Sequence, residues 1–557
     1  MPDHIAPAVF VEETSFLPKA IEGVPTSTTG FTGLTLTGPV WCPGGPGNCA
    51  PRLVTSFAQY ERIYGGLQPI LTEPGVVHPN YMAFAARAFF ENGGTRLYVS
   101  RVFVEKRATG VTTLTDQKTW GYATRAVAVP GFPRARWRAR WPGTFGNVKV
   151  TVTAGPGPNL ELRVTVTAND NRVEVYDHLS LSPAHERYLG KVLSKDTPAD
   201  DAAVVCIEID PAAFTAHPGY SAALAAALVG NRKPRLSGGH NGGLYDASQL
   251  AGREADIHRA QAQATGLAAL GSADDIAIVA APDSAAIGDV DAKAAAVKAV
   301  IGHAEKYRYR FAVVDAPPGS SLGEVRRFRG RFDSTRAALY YPWVEVIDPL
   351  KPVEHPGPGG PSQGRPHDRL LLPPCGVVAG IYAQFDTERG VHQGPANEVI
   401  RGIIGLETNV SSADLAVLNP EGVNVLRSVE GRGHRVWGAR TMSSDPEWKY
   451  VNVRRLFVFL EHSIDRGTRW AVFEPNDDRL WANVRRTVES FLFALWREGA
   501  LLGNRAEEAF FVRCDRTTMT QNDIDSGRMI CLIGVAPLKP AEFVIFRIGQ
   551  WTADARA

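Results

Sequence analysis

Ala541-Glu-Phe-Val-Ile-Phe-Arg-Ile-Gly-Gln550 is the stretch on which the fold turns. In an extended chain Val544, Phe546 and Ile548 line one face, and Phe543 and Ile545 line the other. A run that is apolar on both faces reads as a central strand covered on both sides, not as a half-solvated edge. Lys539-Pro540 makes a hinge before it, because proline fixes φ and biases its predecessor toward extended backbone. An uncovered strand beside a terminus is a template for pairing with another chain. Two readings therefore stand: the strand pairs within its own fold, or it is donated to a neighbour. Pro7-Ala-Val-Phe-Val-Glu-Glu13 poses the same question. Val9, Phe10, Val11 and Glu12 form a short strand, followed by an irregular stretch with Pro18, Gly23 and Pro25, so residues 1–29 read as an extended arm.

The totals describe an ordinary folded protein. A chain of 557 residues has room for several domains, each with ample core. Hydrophobic residues make up 44% and charged residues 21%, the balance of a soluble globular protein. Sixty Lys and Arg against fifty-eight Asp and Glu leave a net charge of +2, so no global field favours nucleic acid or a membrane surface. The six cysteines (42, 49, 206, 375, 514 and 531) contain no Cys-x-x-Cys pair and read as free thiols in a reducing compartment. The first thirty residues lack a basic start followed by an apolar run, and no stretch approaches about 18 consecutive apolar residues. The expectation is folding in the cytoplasm, without a signal peptide or a transmembrane segment.

Composition shifts divide the chain. Residues 30–104 alternate strand and helix signals: Asn80 can cap a helix whose Met82, Ala85, Ala86 and Phe89 share a face, and Gly93-Gly94 stops it. Residues 95–103 then read as a strand with period-two alternation, and 105–125 as a linker. From 126 to 195 the signal is β throughout, with strands at 148–152 and 160–166, which predicts a small β-rich domain. From 200 to 395 the pattern is α/β. Ile276–Ala281 and Phe311–Val314 read as buried parallel strands, each following an Ala-rich helical stretch, near 250–270 and 288–306. Residues 351–366 form a Pro/Gly loop. A further α/β unit spans 396–538. Its helix at 481–499 places Trp481, Val484, Val488, Phe491 and Leu495 at three/four spacing, with strands expected at 469–473, 509–514 and 529–535. Residues 539–557 form a C-terminal arm.

Motifs for chemistry are sparse. Gly319-Ser-Ser-Leu-Gly323 matches the Gly-x-Ser-x-Gly elbow of serine hydrolases, with Ser320 or Ser321 as nucleophile. Asp315-Ala-Pro-Pro318 separates it from the preceding strand, however, and Ser321 with Glu324 makes a capping box instead. Aspartates 274, 275, 283 and 315 lie at strand ends, where α/β sheets often place ligands, but they serve equally as turn and cap residues. No histidine spacing suits a metal and no glycine-rich phosphate loop is present, so neither metal nor cofactor is expected. Arg134, Arg136, Arg138 and Arg140 alternate with small and aromatic residues. On a strand they share a face that could grip phosphates; near-neutral net charge favours an amphipathic surface strand or an acidic protein partner.

Several segments, in matching order, resemble the tail sheath proteins of contractile phages and contractile injection systems. They are Val9–Glu13 with Ala20–Ser27, Phe89-Phe-Glu-Asn-Gly-Gly94, Pro142-Gly-Thr-Phe-Gly-Asn147 and Asp274–Pro282. The C-terminal block carries the most specific likeness: Asn452-Val-Arg-Arg-Leu456, Phe473-Glu-Pro-Asn476, Asp523-Ile-Asp-Ser-Gly527, Gly534-Val-Ala-Pro537 and Pro540–Phe546. The resemblance implies a structural subunit and no catalysis. It implies an α/β and α+β multidomain fold with a small β domain and a subtilisin-like α/β middle domain. The C-terminal α/β sheath domain would be completed by strands from neighbouring subunits, Val9–Glu12 and Phe543, Val544, Ile545, Phe546, Arg547 and Ile548. Implied partners are other copies in sixfold rings, an inner tube protein, and baseplate and terminal cap proteins, with no nucleic acid and no membrane insertion. Arg479, Arg485, Arg486 and Arg497 are the candidate contacts to an acidic inner tube. The competing readings are a serine hydrolase using Ser320 or Ser321 and a non-contractile self-assembling shell protein.

Overall fold

A computed structural model describes residues 20–72, 75–104, 120–155, 161–168, 172–231, 234–256, 258, 263–350, 369–543 and 545. These fall into two compact units, one spanning Pro25–Arg455 and the other joining residues 20–24 to the described residues from Leu456 onward.

The larger unit is built on one eight-stranded sheet. Its strands are β1 (Thr29–Leu34), β2 (Arg52–Val54), β3 (Leu97–Val102), β4 (Ile278–Ala280), β5 (Phe311–Asp315), β6 (Ala337–Tyr341), β7 (Val423–Val429) and β8 (Gly433–Val436). The order across the sheet is β8-β7-β6-β5-β4-β1-β3-β2. The six central strands run parallel, and an antiparallel strand closes each edge. The sheet thus draws strands from three of the four segments that composition had set apart, 30–104, 200–395 and 396–538, and none from 126–195. The parallel strands expected at 276–281 and 311–314 are β4 and β5.

Successive side chains of a strand point to opposite faces, and here each face has its own core. Val279, Ala312, Val314, Ala337 and Leu339 face one core with Val297, Val300 and Ile301 of helix Val290–Lys306. Ile278, Ala280, Phe311, Val313, Ala338 and Tyr340 face the other. That second core contains α1 (Tyr81–Glu91), capped by Asn80 as expected, and α2 (Cys375–Arg389). The two helices approach closely at Gly376 and Gly380, where a Cβ would stand 2.6 Å from the Cα of Ala85 and 2.5 Å from the carbonyl oxygen of Phe89. Double-sided burial also corrects the reading of 95–103. β3 is covered on both faces rather than alternating, because β1 and β2 flank it and both faces meet a core.

The β-rich segment holds two three-stranded sheets, one of 149–154, 162–167 and 173–179, the other of 124–127, 135–139 and 205–208. Strand 205–208 lies beyond the expected boundary at 195, yet it pairs antiparallel with 135–139. Residues 124–125 of the expected linker belong to a strand, and 105–119 lie outside the described residues. Instead of one Ala-rich helix near 250–270 the described residues hold two short ones, Ala247–Ala251 and Gly266–Ala269. The 351–366 loop is likewise outside the described residues.

Arg136, Arg138 and Arg140 do not form a surface stripe. Arg138 is buried, with its guanidinium 3.7 Å over the Tyr122 ring and its Nη1 donating to the Gly44 carbonyl at 2.7 Å. Arg140 is also buried and donates to the carbonyls of Lys195 and Asp201. Arg136 pairs with Glu208, and of the four only Arg134 is exposed. Both faces of this strand are covered, so the cations are met by backbone carbonyls of distant loops and by Glu208. Neither a surface strand nor a docking face for an acidic partner is formed there.

Candidate assembly surface of the smaller unit

The smaller unit is organised by two long helices. α3 (Val451–Thr468) enters it at Leu456. Residues 20–24 lie along α3: Val24 N–H donates to Ser463 Oγ at 3.1 Å, and Ile21 packs on Gly467. α4 (Asp478–Arg497) is the helix expected at 481–499. Asp477 caps it by accepting from Leu480 N–H at 2.9 Å, and Gly499 ends it with a positive φ of 78°. Leu480, Trp481, Val484, Val488, Phe491 and Leu492 are its buried stripe; Leu495 is only half-buried.

The expected strand at 469–473 is absent. Residues Arg469–Ala471 make a single 3₁₀ turn after α3, followed by Phe473 with φ +70° and a fully exposed ring. The helix consumed the residues that should have preceded that strand. The other two expected strands exist as β9 (Phe510–Arg513) and β10 (Leu532–Val535), antiparallel partners. Phe511 lies opposite Gly534 and its ring occupies the space a Cβ there would need.

This two-stranded sheet is the notable feature of the unit. α4 packs on β9, but neither outer edge pairs with a further strand among the described residues. Phe511, Leu532 and Ile533 are exposed on it. An isolated pair of strands is marginal in water, and an edge with unpaired N–H and C=O groups invites another strand.

Of the expected C-terminal strand, Phe543 and Ile545 are described. They take no strand conformation in the single chain and are 73% and 78% exposed. Val544, Phe546, Arg547 and Ile548, and Val9, Phe10, Val11 and Glu12, lie outside the described residues. Of the arginines named from sequence, Arg479, Arg486 and Arg497 fall within about 20° of one another around α4 at 100° per residue. They share the exposed face opposite the buried stripe, in line with exposed Phe493. Arg485 lies off this line, its Nε 3.9 Å from the Glu489 carboxylate. The heptad spacing 479–486–493 was the available signal that separates Arg485 from the others.

The remaining motifs resolve into structure. Glu324 accepts from Ser321 N–H at 2.8 Å and from its Oγ at 2.7 Å, the capping box of helix Leu322–Arg329. Ser320 Oγ donates to the Pro317 carbonyl. Asp275 pairs with Arg96, and Asp274 is exposed. Asp315 accepts from Cys375 N–H at 2.8 Å, capping the start of α2, where Pro374 has no N–H to offer. Asp283 accepts from Leu34 N–H at 2.6 Å, which ties the end of β4 to β1. Among the described residues no group of three or more His, Cys, Asp or Glu is placed to hold a metal, and no helix is long and apolar enough to cross a membrane.

Burial pushes the Asp283 carboxyl up to about 8, and Asp315 to about 7. A carboxyl whose folded pKa exceeds its unfolded value stabilises the fold fully only below the unfolded pKa, and that stability fades as pH rises toward the folded one. The protein should therefore lose stability as pH rises from about 4 to about 8, with Asp283 contributing up to about 1.4 kcal/mol per pH unit across that span and Asp315 levelling off near pH 7. Urea unfolding of Asp283→Asn across this range should show a correspondingly flatter profile; equal slopes would refute the assignment.

Ser321 of the nucleophile motif is thus a helix cap, and the smaller unit carries a two-stranded sheet with no further strand on either outer edge among the described residues. Family models match the chain in sequence. The phage tail sheath protein central domain matches residues 258–442 and the phage tail sheath C-terminal domain matches 443–550, together more than half the chain. The chain belongs to the phage tail sheath family. It is 28% identical over 215 residues to the tail sheath protein of Burkholderia phage BcepMu, covering 35% of this chain and 41% of that one. Alignments with six curated relatives span 26–64% of those proteins' own lengths. In fold, the chain superposes on the contracted helical sheath of the anti-feeding prophage with a TM-score of 0.54 at 22% identity, over 98% of this chain and 99% of that one. It superposes on the sheath tail protein Lin1278 of Listeria innocua with a TM-score of 0.55 at 12% identity, over 93% and 96%.

Proposed function

We propose that the chain is the structural subunit of a contractile sheath, polymerising as stacked sixfold rings around an inner tube and contracting to drive that tube through a target envelope. One observation carries this reading: among the described residues the β9–β10 sheet has no further strand on either outer edge, while Phe543 and Ile545 lie exposed in the single chain. In the assembly, the strands at 8–13 and 541–550 of neighbouring subunits add to β9 and β10 and complete the C-terminal sheath domain. The α/β region containing β4 to β6 corresponds to the family's subtilisin-like middle domain, used as scaffold without catalysis. Baseplate and terminal cap proteins bind the ends of the polymer, which assembles in the bacterial cytoplasm. Negative-stain microscopy of the purified protein should show ribbed hollow cylinders, and only dispersed particles under assembly conditions would count against the proposal.

The arginine line of α4 faces the inner tube in this scheme, with Arg479, Arg486 and Arg497 meeting acidic groups. Arg479→Glu with Arg486→Glu should abolish co-sedimentation of sheath with tube while leaving the subunit's melting temperature unchanged, because both side chains are exposed. Retained co-sedimentation would remove these residues from the contact.

A further inference from the structure

Cys514 and Cys531 stand one step beyond the ends of β9 and β10. The register pairs Phe510 with Val535 and Arg513 with Leu532, so the next opposed pair is Cys514 and Cys531. Ala536 N–H donates to the Ala509 carbonyl at 2.8 Å, which makes Ala509/Ala536 a hydrogen-bonded pair. Pairs alternate along an antiparallel ladder, so Arg513/Leu532 is hydrogen-bonded and Cys514/Cys531 is not. Non-hydrogen-bonded pairs bring their Cα atoms to about 4.5 Å, at the short end of the range a disulfide spans. Both sulfurs are free thiols, Cys514 buried and Cys531 half-buried. The two thiols lie close enough to share a hydrogen bond, which holds the Cys514 thiol below its usual range and, with burial, pushes Cys531 up.

We propose that Cys514 and Cys531 form a redox modification site, closing to an intrachain disulfide that staples β9 to β10. The oxidant is a small-molecule disulfide such as oxidised glutathione. One cysteine thiolate attacks it and releases one small thiolate; the second cysteine then displaces the other from the mixed disulfide. Two protein thiols lose two protons and two electrons, and one oxidised glutathione becomes two reduced ones. The other four cysteines (42, 49, 206 and 375) are buried and stand on other elements. The staple ties together the two strands whose outer edges are open, and the inference holds whether or not those edges accept strands from neighbours.

The test uses the full chain, reduced with dithiothreitol and then exposed to oxidised glutathione. Titrating thiols in denaturant should give six before treatment and four after. Tryptic mass spectrometry without reduction should recover a 514–531 cross-linked peptide lighter by two hydrogens. Cys531→Ser should keep all five of its remaining thiols unlinked. A glutathione adduct on Cys531 without the cross-link, or six thiols after treatment, would overturn the proposal.

Discussion

Removing residues 541–557 should leave a folded, soluble subunit that no longer forms tubes. The described part of this segment contributes little to the single chain, since Phe543 and Ile545 are largely exposed. Its contribution comes when it is covered. Burying Phe543, Val544, Ile545, Phe546 and Ile548 yields roughly 7–15 kcal/mol, at about 1.5–3 each. Ordering six residues of backbone opposes this by about 6–12 kcal/mol, at roughly 1–2 each. The two nearly cancel, and ladder hydrogen bonds add about 0.5–1.5 kcal/mol apiece. One donated strand is thus a weak link. In the proposed lattice, repeated and joined by an N-terminal arm, it would become strong by multivalency, and it would keep subunits joined while their bodies rotate during contraction. Circular dichroism should match the intact chain, with cylinders lost in the microscope. Truncated protein that builds cylinders of normal length would end the strand-donation account.

What was legible in the sequence is what local chemistry determines. β4, β5 and α4 follow from apolar runs and three/four spacing, and the Ser321–Glu324 cap from a four-residue motif. What was not legible depends on partners far away in the chain. β1, Thr-Gly-Phe-Thr-Gly-Leu, has the composition of a loop, yet it is central because β3 and β4 pair with it on either side. Arg138 and Arg140 look like a surface stripe until the carbonyls of Gly44, Lys195 and Asp201 arrive from other segments. The candidate site divides the same way. The arginines on α4 follow from helical periodicity, whereas the open edge of β9–β10 is a property of the sheet and appears only once the chain is folded.

A second large effect is expected at Asp386, on the inner face of α2. Its two carboxylate oxygens accept from Arg455 at 2.8 and 2.5 Å, and both side chains are only 3% exposed. Arg455 also donates to the Thr26 carbonyl at 3.0 Å and stacks 4.9 Å over the Tyr382 ring, whose hydroxyl meets that of Tyr340. This network ties the residues before β1, the helix α2 and the first turn of α3 together inside the larger unit. Removing one partner of such a pair leaves a buried charge that neither water nor a counterion reaches. Asp386→Ala should therefore lower the unfolding free energy by about 3–5 kcal/mol, read from urea denaturation. Asp386→Leu combined with Arg455→Met removes both charges and refills the space, so it should recover most of that loss. If the double variant is as unstable as Asp386→Ala, the stabilisation comes from the hydrogen bonds to Thr26 and the stacking on Tyr382, and the unpaired charge is not its cause. If Asp386→Ala is itself neutral, water reaches Arg455 and the pair is not buried in solution.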